Sequence, residues 1–193
     1  MPRFTAPASA SVAQTNVGNG GNCPRDLLPE LRSDHAGETG AVWIYRGILC
    51  ASADSGVRAF ARRHLAVERG HLEKMAWLLP PRQRSRLLVL WRIAGFVTGA
   101  LPALCGARAV YGTIAAVETF VDLHYQHQID ALAARPQHSA LREVLLECQA
   151  DECDHREEAV AALHGGAPGR LLGLWCRLVG GGSAFAVALA RRI

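Results

Sequence analysis

The stretch Asp151-Glu152-Cys153-Asp154-His155 decides the fold of this chain, because it sets ionisable side chains into an apolar helical stripe. Alternating steps of four and three residues define one helix face, made of Leu141, Leu145, Cys148, Glu152, His155, Ala159 and Ala162. Burying a carboxylate and an imidazole costs free energy unless they are paired or bind a metal. The stretch therefore predicts a core-facing polar site on a helix.

The Glu-x-x-His spacing occurs a second time, at Glu68 and His71. Two further helical stripes carry a single glutamate each, Glu38 and Glu118. The lone glutamate precedes the Glu-x-x-His pair by 30 residues in the first half of the chain and by 34 in the second. Two such half-sites that face each other would hold two metal ions, as in ferritin-like di-iron and di-manganese bundles.

The predicted metal ligands are Glu38, Glu68, His71, Glu118, Glu152 and His155. Four carboxylates in a low-dielectric core would repel one another, and two divalent cations would balance their charge. Oxygen and imidazole ligands suit iron or manganese. The six cysteines include no Cys-x-x-Cys pair, which argues against a structural zinc or iron-sulfur site. A surface pair is the alternative for any single Glu-x-x-His.

The composition indicates one globular domain over residues 26–193, because half of the 193 residues are hydrophobic. Residues 1–25 lack hydrophobic periodicity and are interpreted as a flexible leader. The net charge of +4 rests almost wholly on arginine, since Lys74 is the only lysine. The basic residues form no dense block, so nucleic-acid binding is not predicted. Irregular cysteine spacing favours free thiols, and Cys148 is expected in the core.

Helical periodicity from about Pro29 onward predicts an all-α chain. The expected helices cover residues 30–52, 55–79, 83–101, 107–134, 139–164 and 168–193. The third helix is apolar around most of its circumference and should end before Pro102, and a break is expected at Gly180–Gly182 in the last. Arginines at positions 82, 84 and 86 favour a third helix that lies in the membrane interface. The last helix is a second such candidate, and burial inside the bundle is the alternative for both.

Other polar residues lie near the predicted ligands. Asp34 and Asp122 stand one turn from the lone glutamates of their helices, so either can orient a ligand histidine. Ordinary surface charge is the alternative for both. His35 and His64 also lie on core stripes and are interpreted as structural histidines with satisfied hydrogen bonds.

The motif Leu31-Arg32-Ser33-Asp34-His35-Ala36-Gly37-Glu38-Thr39-Gly40-Ala41, followed by Ile44-Tyr45-Arg46-Gly47, resembles the opening motif of the demethoxyubiquinone hydroxylases of ubiquinone biosynthesis. The resemblance continues through Glu68 with His71 and through Ala116-Val117-Glu118 with His124-Tyr125. It includes Asp151-Glu152 with His155 and reaches the end of the chain more loosely.

The resemblance implies a ferritin-like di-iron monooxygenase with apolar membrane-associating helices. Such an enzyme inserts one oxygen atom of dioxygen into the ring of a polyprenyl methoxy-methyl benzoquinone. NADH or the reduced quinone would supply the electrons. The resemblance also implies two iron ions with Glu68 and Glu152 as bridging ligands. It places His124 and Tyr125 near the quinone, where they would relay electrons or protons.

The implied location is peripheral, on the cytoplasmic face of a bacterial inner membrane, with the mitochondrial inner membrane as the alternative. Other ubiquinone-biosynthesis proteins are candidate partners. Two other functions stay open. One is a soluble ferritin-like storage or ferroxidase protein, and the other is a non-catalytic scaffold of a quinone-synthesis complex.

Overall fold

The computed structural model describes residues 25–163 and 169–193. Six α-helices follow one another in this part of the chain: α1 (Leu28–Ala51), α2 (Ser55–Leu78), α3 (Leu88–Cys105), α4 (Ala107–Ala133), α5 (Ser139–Ala162) and α6 (Arg170–Ala190). The described residues contain no β-strand, which confirms the all-α prediction. The expected leader up to residue 24, and residues 164–168 at the expected end of the fifth helix, lie outside the described residues.

Helices α1, α2, α4 and α5 form a four-helix bundle, in which α1 packs along α2 and α4 along α5. Two apolar clusters fill it, one around Tyr45 and Ile114 and the other around Met75 and Leu145. On every one of the four helices, the core glutamate lies between residues of the first cluster and residues of the second. Cys148 belongs to the second cluster, as expected. The glutamates therefore share one level of the bundle.

Helix α3 lies against α1 at backbone contact distance. A Cβ atom built on Gly99 would stand 1.9 Å from the carbonyl oxygen of Ile44, and one built on Gly95 would stand 2.3 Å from that of Gly40. Only glycine allows two helix backbones to approach so closely. Helix α6 packs mainly on α4, so that each half of the chain adds one apolar helix to its own part of the bundle.

Two predicted helix breaks are wrong. Pro102 lies inside α3, which continues to Cys105 and ends where Gly106 adopts a φ of 102°. The predicted break at Gly180–Gly182 is also absent, because α6 runs through these residues. A proline removes one backbone hydrogen bond and a glycine lowers helix propensity, but neither ends a helix that neighbouring turns support.

The start of the third helix also differs from the prediction. Pro81–Gln83 form a 3-10 turn, and Arg84 is extended, so the α-helix begins only at Leu88. Consecutive prolines at positions 80 and 81 impose the extended geometry that precedes this turn. The hydroxyl of Ser85 accepts a hydrogen bond from the backbone N–H of Leu87 at 3.2 Å.

Helices α3 and α6 are not buried inside the bundle, which contradicts the alternative considered for them. Leu104 of α3 is 72% exposed, and Leu171 and Phe185 of α6 are 86% and 72% exposed. Both helices are long and apolar enough to cross a membrane, by length and composition alone. Each therefore presents an apolar face that the described residues leave uncovered.

Candidate metal centre

The six predicted ligands converge at the glutamate level of the bundle. They form two overlapping groups, and within each group the potential ligand atoms all lie within 4.8 Å of one another. The first group is Glu38, Glu68, His71 and Glu152, and the second is Glu68, Glu118, Glu152 and His155. All six residues are buried. Glu68 and Glu152 belong to both groups, so each stands within reach of both possible metal positions.

Several buried atoms of these groups have no hydrogen-bond partner. Both carboxylate oxygens of Glu68 are unpartnered, as are one oxygen of Glu38 and one of Glu152. His155 Nδ1 lies 3.2 Å from an oxygen of Glu68 and 3.2 Å from an oxygen of Glu152, without hydrogen-bond geometry. Buried polar atoms without partners are rare in folded proteins. The oxygen and imidazole donors that converge here fit two iron or manganese ions.

The pKa values of the four glutamates are shifted in different directions. Burial, reinforced by the charge of Glu152, raises the pKa of Glu68 and of Glu118. Burial also raises the pKa of Glu38, to about 7, although the charge of His71 opposes this shift. Three of the four carboxyl groups therefore hold protons more tightly than usual, and a cation must displace those protons to bind.

Glu152 is the charged member of the set. Burial raises its pKa, but His155 and His71 outweigh this effect and bring the pKa to about 2. Burial lowers the pKa of His71, whereas its hydrogen bond with Glu152 and the charge of Glu38 raise it to about 10. Without metal, a buried imidazolium and carboxylate pair thus occupies the centre of the site.

The side chain that orients His71 is Asp151, which the sequence interpretation missed. His71 Nε2 lies 2.9 Å from Asp151 Oδ2, and His71 Nδ1 lies 3.1 Å from Glu152 Oε1. A carboxylate that accepts from one ring nitrogen fixes the other toward the ligand position. Asp151 directly precedes the predicted ligand Glu152 on α5, but the histidine that it contacts lies on α2. The only indication in the sequence was therefore an acidic residue next to Glu152.

Neither of the aspartates predicted to orient a ligand histidine contacts one. Asp122 forms an ion pair with Arg156 and accepts a hydrogen bond from Gln149 at 2.8 Å. These contacts hold α4 to α5 at the surface. Burial raises the pKa of Asp122, but the contacts with Arg156 and Gln149 outweigh burial and lower the pKa. Asp34 lies in the core and instead contacts His124.

Each half of the chain contributes one tyrosine that donates a hydrogen bond to the lone glutamate of the other half. Tyr45 stands seven residues after Glu38, and its hydroxyl donates a hydrogen bond to Glu118 at 3.3 Å. Tyr125 stands seven residues after Glu118, and its hydroxyl donates to Glu38. Burial raises the pKa of both phenols, so both keep the proton that they donate. The lone glutamate of each half is therefore positioned by the tyrosine of the other half.

A cavity of about 400 Å³ lies between α3 and α6 and reaches the metal groups. Its polar lining includes Glu38, Glu118 and Glu152. Its apolar walls come chiefly from the two outer helices and include Leu90, Trp91, Trp175, Leu178, Phe185 and Leu189. The arrangement suits an apolar molecule with a reactive group placed against the carboxylates.

His124 is held at the wall of this cavity by a polar cluster. Its Nε2 lies 2.9 Å from Asp34 Oδ1, and the same oxygen accepts a hydrogen bond from Gln128 Nε2 at 2.8 Å. The ring of Phe120 stacks on the imidazole with an interplanar angle of 12°. Gln128 was not predicted, because its role depends on the approach of α1 to α4. The predicted residues His124 and Tyr125 both line the cavity.

Comparison with known proteins gives a consistent family. Residues 26–190 match the family model described as "Ubiquinone biosynthesis protein COQ7". The chain is 35% identical over 130 residues to the 3-demethoxyubiquinol 3-hydroxylase of Rhodospirillum rubrum, which covers 66% of this chain and 60% of that protein. It is 31% identical over 159 residues to the mitochondrial NADPH-dependent 3-demethoxyubiquinone 3-hydroxylase of Dictyostelium discoideum, covering 74% of this chain and 73% of that protein.

The protein of the same name from Rattus norvegicus is 30% identical over 166 residues, or 84% of this chain and 76% of that protein. The matched part thus spans between three fifths and about three quarters of the length of these relatives. Because the family match covers the bundle and both apolar helices, the chain belongs to the ubiquinone biosynthesis protein COQ7 family and has its ferritin-like helical fold.

Proposed function

We propose that this protein is a di-iron monooxygenase that hydroxylates the ring of a demethoxyubiquinone, a polyprenyl benzoquinone. The observation that carries the proposal is that Glu38, Glu118 and Glu152 belong to the metal groups and also line the apolar cavity. A substrate ring in the cavity would therefore lie next to the metal ions. The names of the relatives, which are hydroxylases of demethoxyubiquinol or demethoxyubiquinone, support the same substrate class.

The metal ligands in this proposal are the six residues of the two groups, with Glu68 and Glu152 as bridges and Glu38 and Glu118 as terminal ligands. Two bound iron ions would supply the activation of dioxygen. One oxygen atom enters the ring and the other leaves as water, which requires two electrons and two protons from a co-reductant. A reduced nicotinamide nucleotide or the reduced quinone is the proposed source, and several relatives are named as NADPH-dependent.

His124 is the proposed proton-exchanging residue beside the substrate, and Tyr125 is a proposed positioning residue. Asp34 and Gln128 hold the His124 imidazole at the cavity wall, so that it can exchange a proton with a ring oxygen of the substrate. Tyr125 keeps its own proton and positions Glu38. In this arrangement Asp34 acts through His124 and not through a ligand histidine.

The proposed location is the surface of a membrane, with α3 and α6 in contact with lipid. A polyprenyl tail partitions into the bilayer, and the cavity lies between the two helices whose apolar faces are exposed. Both helices therefore form the proposed doorway. The cytoplasmic face of a bacterial inner membrane is the proposed side, and the mitochondrial inner membrane is the alternative, since relatives include bacterial and mitochondrial proteins.

The decisive experiment measures conversion of a demethoxyubiquinone by the purified, iron-loaded protein with NADH. We expect conversion that requires both iron and dioxygen, and a Mössbauer spectrum of a coupled iron pair. Glu152→Ala should abolish conversion, whereas Glu143→Ala, which removes an exposed carboxylate of the same helix, should not. The proposal is wrong if Glu152→Ala still binds two irons and complements a strain that lacks the hydroxylase. Sedimentation without detergent distinguishes the proposed membrane enzyme from a ferritin-like ferroxidase, which would form a soluble shell. A protein that consumes no oxygen with iron, reductant and quinone present would instead be a non-catalytic scaffold.

A further inference from the structure

A second cleft, of about 440 Å³, lies between α1, α2 and α3. It shares no lining residue with the cavity at the metal groups. Its charged and aromatic lining consists of His35, Trp43, Arg46, Glu73, Arg84 and Arg92. Three arginines against one glutamate give this lining a net formal charge of +2 when His35 is neutral.

His35 lines this cleft and has one buried ring nitrogen without a hydrogen-bond partner. The residue is 3% exposed, and its Nδ1 has no hydrogen-bond partner. The sequence interpretation of His35 as a satisfied structural histidine is therefore wrong. Burial, then the charges of Arg84 and Arg92, lower its pKa to about 4, so the imidazole is neutral at neutral pH. A neutral imidazole keeps one N–H donor and one acceptor, and leaving either buried without a partner costs free energy.

Two of the arginines are held in place before any ligand arrives. Arg84 donates from Nη2 to the carbonyl oxygen of Ala76 at 2.9 Å and from Nε to that of Leu79 at 3.3 Å. The guanidinium of Arg46 lies 4.7 Å from the ring centroid of Trp43. Fixed guanidinium groups lose little side-chain entropy when they bind an anion.

The third arginine is available to a ligand. Within residues 25–163 and 169–193, the guanidinium of Arg92 forms no hydrogen bond or ion pair. It lies near enough to His35 to lower the pKa of the imidazole. The lining of the cleft thus includes a buried imidazole with an unpartnered nitrogen and an exposed guanidinium that no group of the described residues occupies, and both groups can donate to an anion.

We propose that this cleft binds a phosphate group, with Arg84 and Arg92 as charged donors and His35 as a neutral N–H donor. A guanidinium pairs with two phosphate oxygens at once, and the positive net charge of the lining favours an anionic phosphate, either a diester monoanion or a monoester dianion. The phosphate belongs either to a phospholipid headgroup or to a soluble phosphate compound. This site is independent of the function of the metal-centre cavity.

The first test is calorimetric titration of the metal-loaded full chain with inorganic phosphate. Arg92→Gln should weaken binding by about tenfold, because one charge-assisted hydrogen bond is lost. Arg86→Gln is the matched control, since Arg86 is an exposed arginine of the same segment that does not line the cleft. His35→Phe removes the ring N–H and should also weaken binding. If that variant unfolds at lower temperature, Arg46→Gln provides the second cleft variant.

The second test separates the two sources of phosphate with vesicles of phosphatidylglycerol. One-to-one binding of inorganic phosphate that depends on Arg92 supports a soluble ligand. No binding of inorganic phosphate, together with vesicle binding that falls about tenfold in Arg92→Gln but not in Arg86→Gln, supports a headgroup. Equal losses in the two arginine variants would show diffuse surface charge and overturn the proposal, as would binding of neither probe.

Discussion

The two halves of the molecule, α1 to α3 and α4 to α6, repeat the same plan with different surroundings. Each has a lone glutamate with a tyrosine seven residues later, a Glu-x-x-His helix and an apolar helix. Tyr45 packs among the rings of Phe60, His64 and His155 in the closed core, whereas Tyr125 lines the cavity. The repeat thus accounts for the six residues of the two groups, and the neighbours of each tyrosine determine which side of these groups opens onto the cavity.

The two apolar helices, α3 and α6, also differ in how they are attached to the bundle. Helix α3 is locked to α1 through Gly95 and Gly99, where no side chain fits. Helix α6 is attached to α4 by side-chain contacts, such as the Trp175 Nε1 hydrogen bond to Thr113 at 2.8 Å. Its Gly180–Gly182 run has nothing within 4 Å of the added Cβ positions. One wall of the cavity is therefore fixed by backbone contact and the other by a few side chains.

The largest expected effect concerns the proposed metal ligands that belong to both groups. Glu152→Ala removes a member of both metal groups, whereas Glu118→Ala removes a member of one. We expect Glu152→Ala to lose both metal ions and Glu118→Ala to retain about one, since a cation keeps high affinity only with a nearly complete ligand set. Metal analysis of the desalted proteins measures this. Equal metal loss in the two variants would contradict the assignment of Glu152 as a bridge.

The second prediction rests on the unequal charge of corresponding residues, since the pKa of Glu68 is raised and that of Glu152 is lowered. A raised carboxyl pKa means that the folded state holds a proton that the unfolded chain releases, so stability falls as pH rises between the two values. For Glu38, whose pKa rises from 4.5 to about 7, the loss is about 3 kcal/mol. The raised pKa of His71 acts in the same direction above pH 6.5.

The lowered pKa values of His35 and His64, about 4, act in the opposite direction up to pH 6.5, so the informative range lies above that pH. Metal-free protein should unfold at lower temperature at about pH 9 than at about pH 7, because the pKa of His71 is raised, while metal-loaded protein should not. The lowered pKa of Glu152, about 2, affects stability only in more acidic solution. Thermal unfolding with and without chelator, followed by circular dichroism, measures the difference. A metal-free protein that gains stability over this range would contradict the shifts.

The third prediction compares the two tyrosines. Tyr125→Phe removes a hydroxyl that lines the cavity and positions Glu38, and kcat should fall by about a hundredfold because a misplaced group at the reacting centre is costly. Tyr45→Phe removes the equivalent hydrogen bond on the closed side, and we expect a loss of less than about tenfold. Metal content should stay the same in both variants. Similar kcat values for the two variants would show that the Tyr125 hydroxyl has no role beyond the one that Tyr45 also has, which is to position a glutamate.

The sequence predicted which buried carboxylates and histidines converge better than it predicted their partners, for a physical reason. Glu38, Glu68 and Glu152 stand out because a buried carboxylate breaks an apolar stripe within one helix. The bonds from Asp151 to His71 and from Tyr45 to Glu118 join different helices, and periodicity within one helix does not give the relative placement of two. The predicted break before Pro102 failed similarly, because tertiary packing supports α3 past a residue that disfavours it.

The fourth prediction tests the fixed wall of the cavity. Gly99→Ala places a Cβ atom against the carbonyl oxygen of Ile44, so α3 must shift away from α1. We expect the free energy of unfolding to fall by about 2 kcal/mol, as for other overpacked sites. Chemical denaturation in detergent measures this change. An unchanged stability would show that α3 does not hold its close contact with α1 in solution.

The smallest expected effect concerns α6, the other wall of the cavity, where a substitution should raise the free energy of unfolding. Gly181 lies inside α6, is exposed, and has nothing within 4 Å of its added Cβ. Gly181→Ala should raise the free energy of unfolding by up to about 1 kcal/mol, because alanine loses less backbone entropy in a helix. The same denaturation experiment applies, with Gly99→Ala as the contrasting variant. If Gly181→Ala destabilises the protein, α6 packs there against a surface such as lipid or a second chain, and its wall is fixed as well.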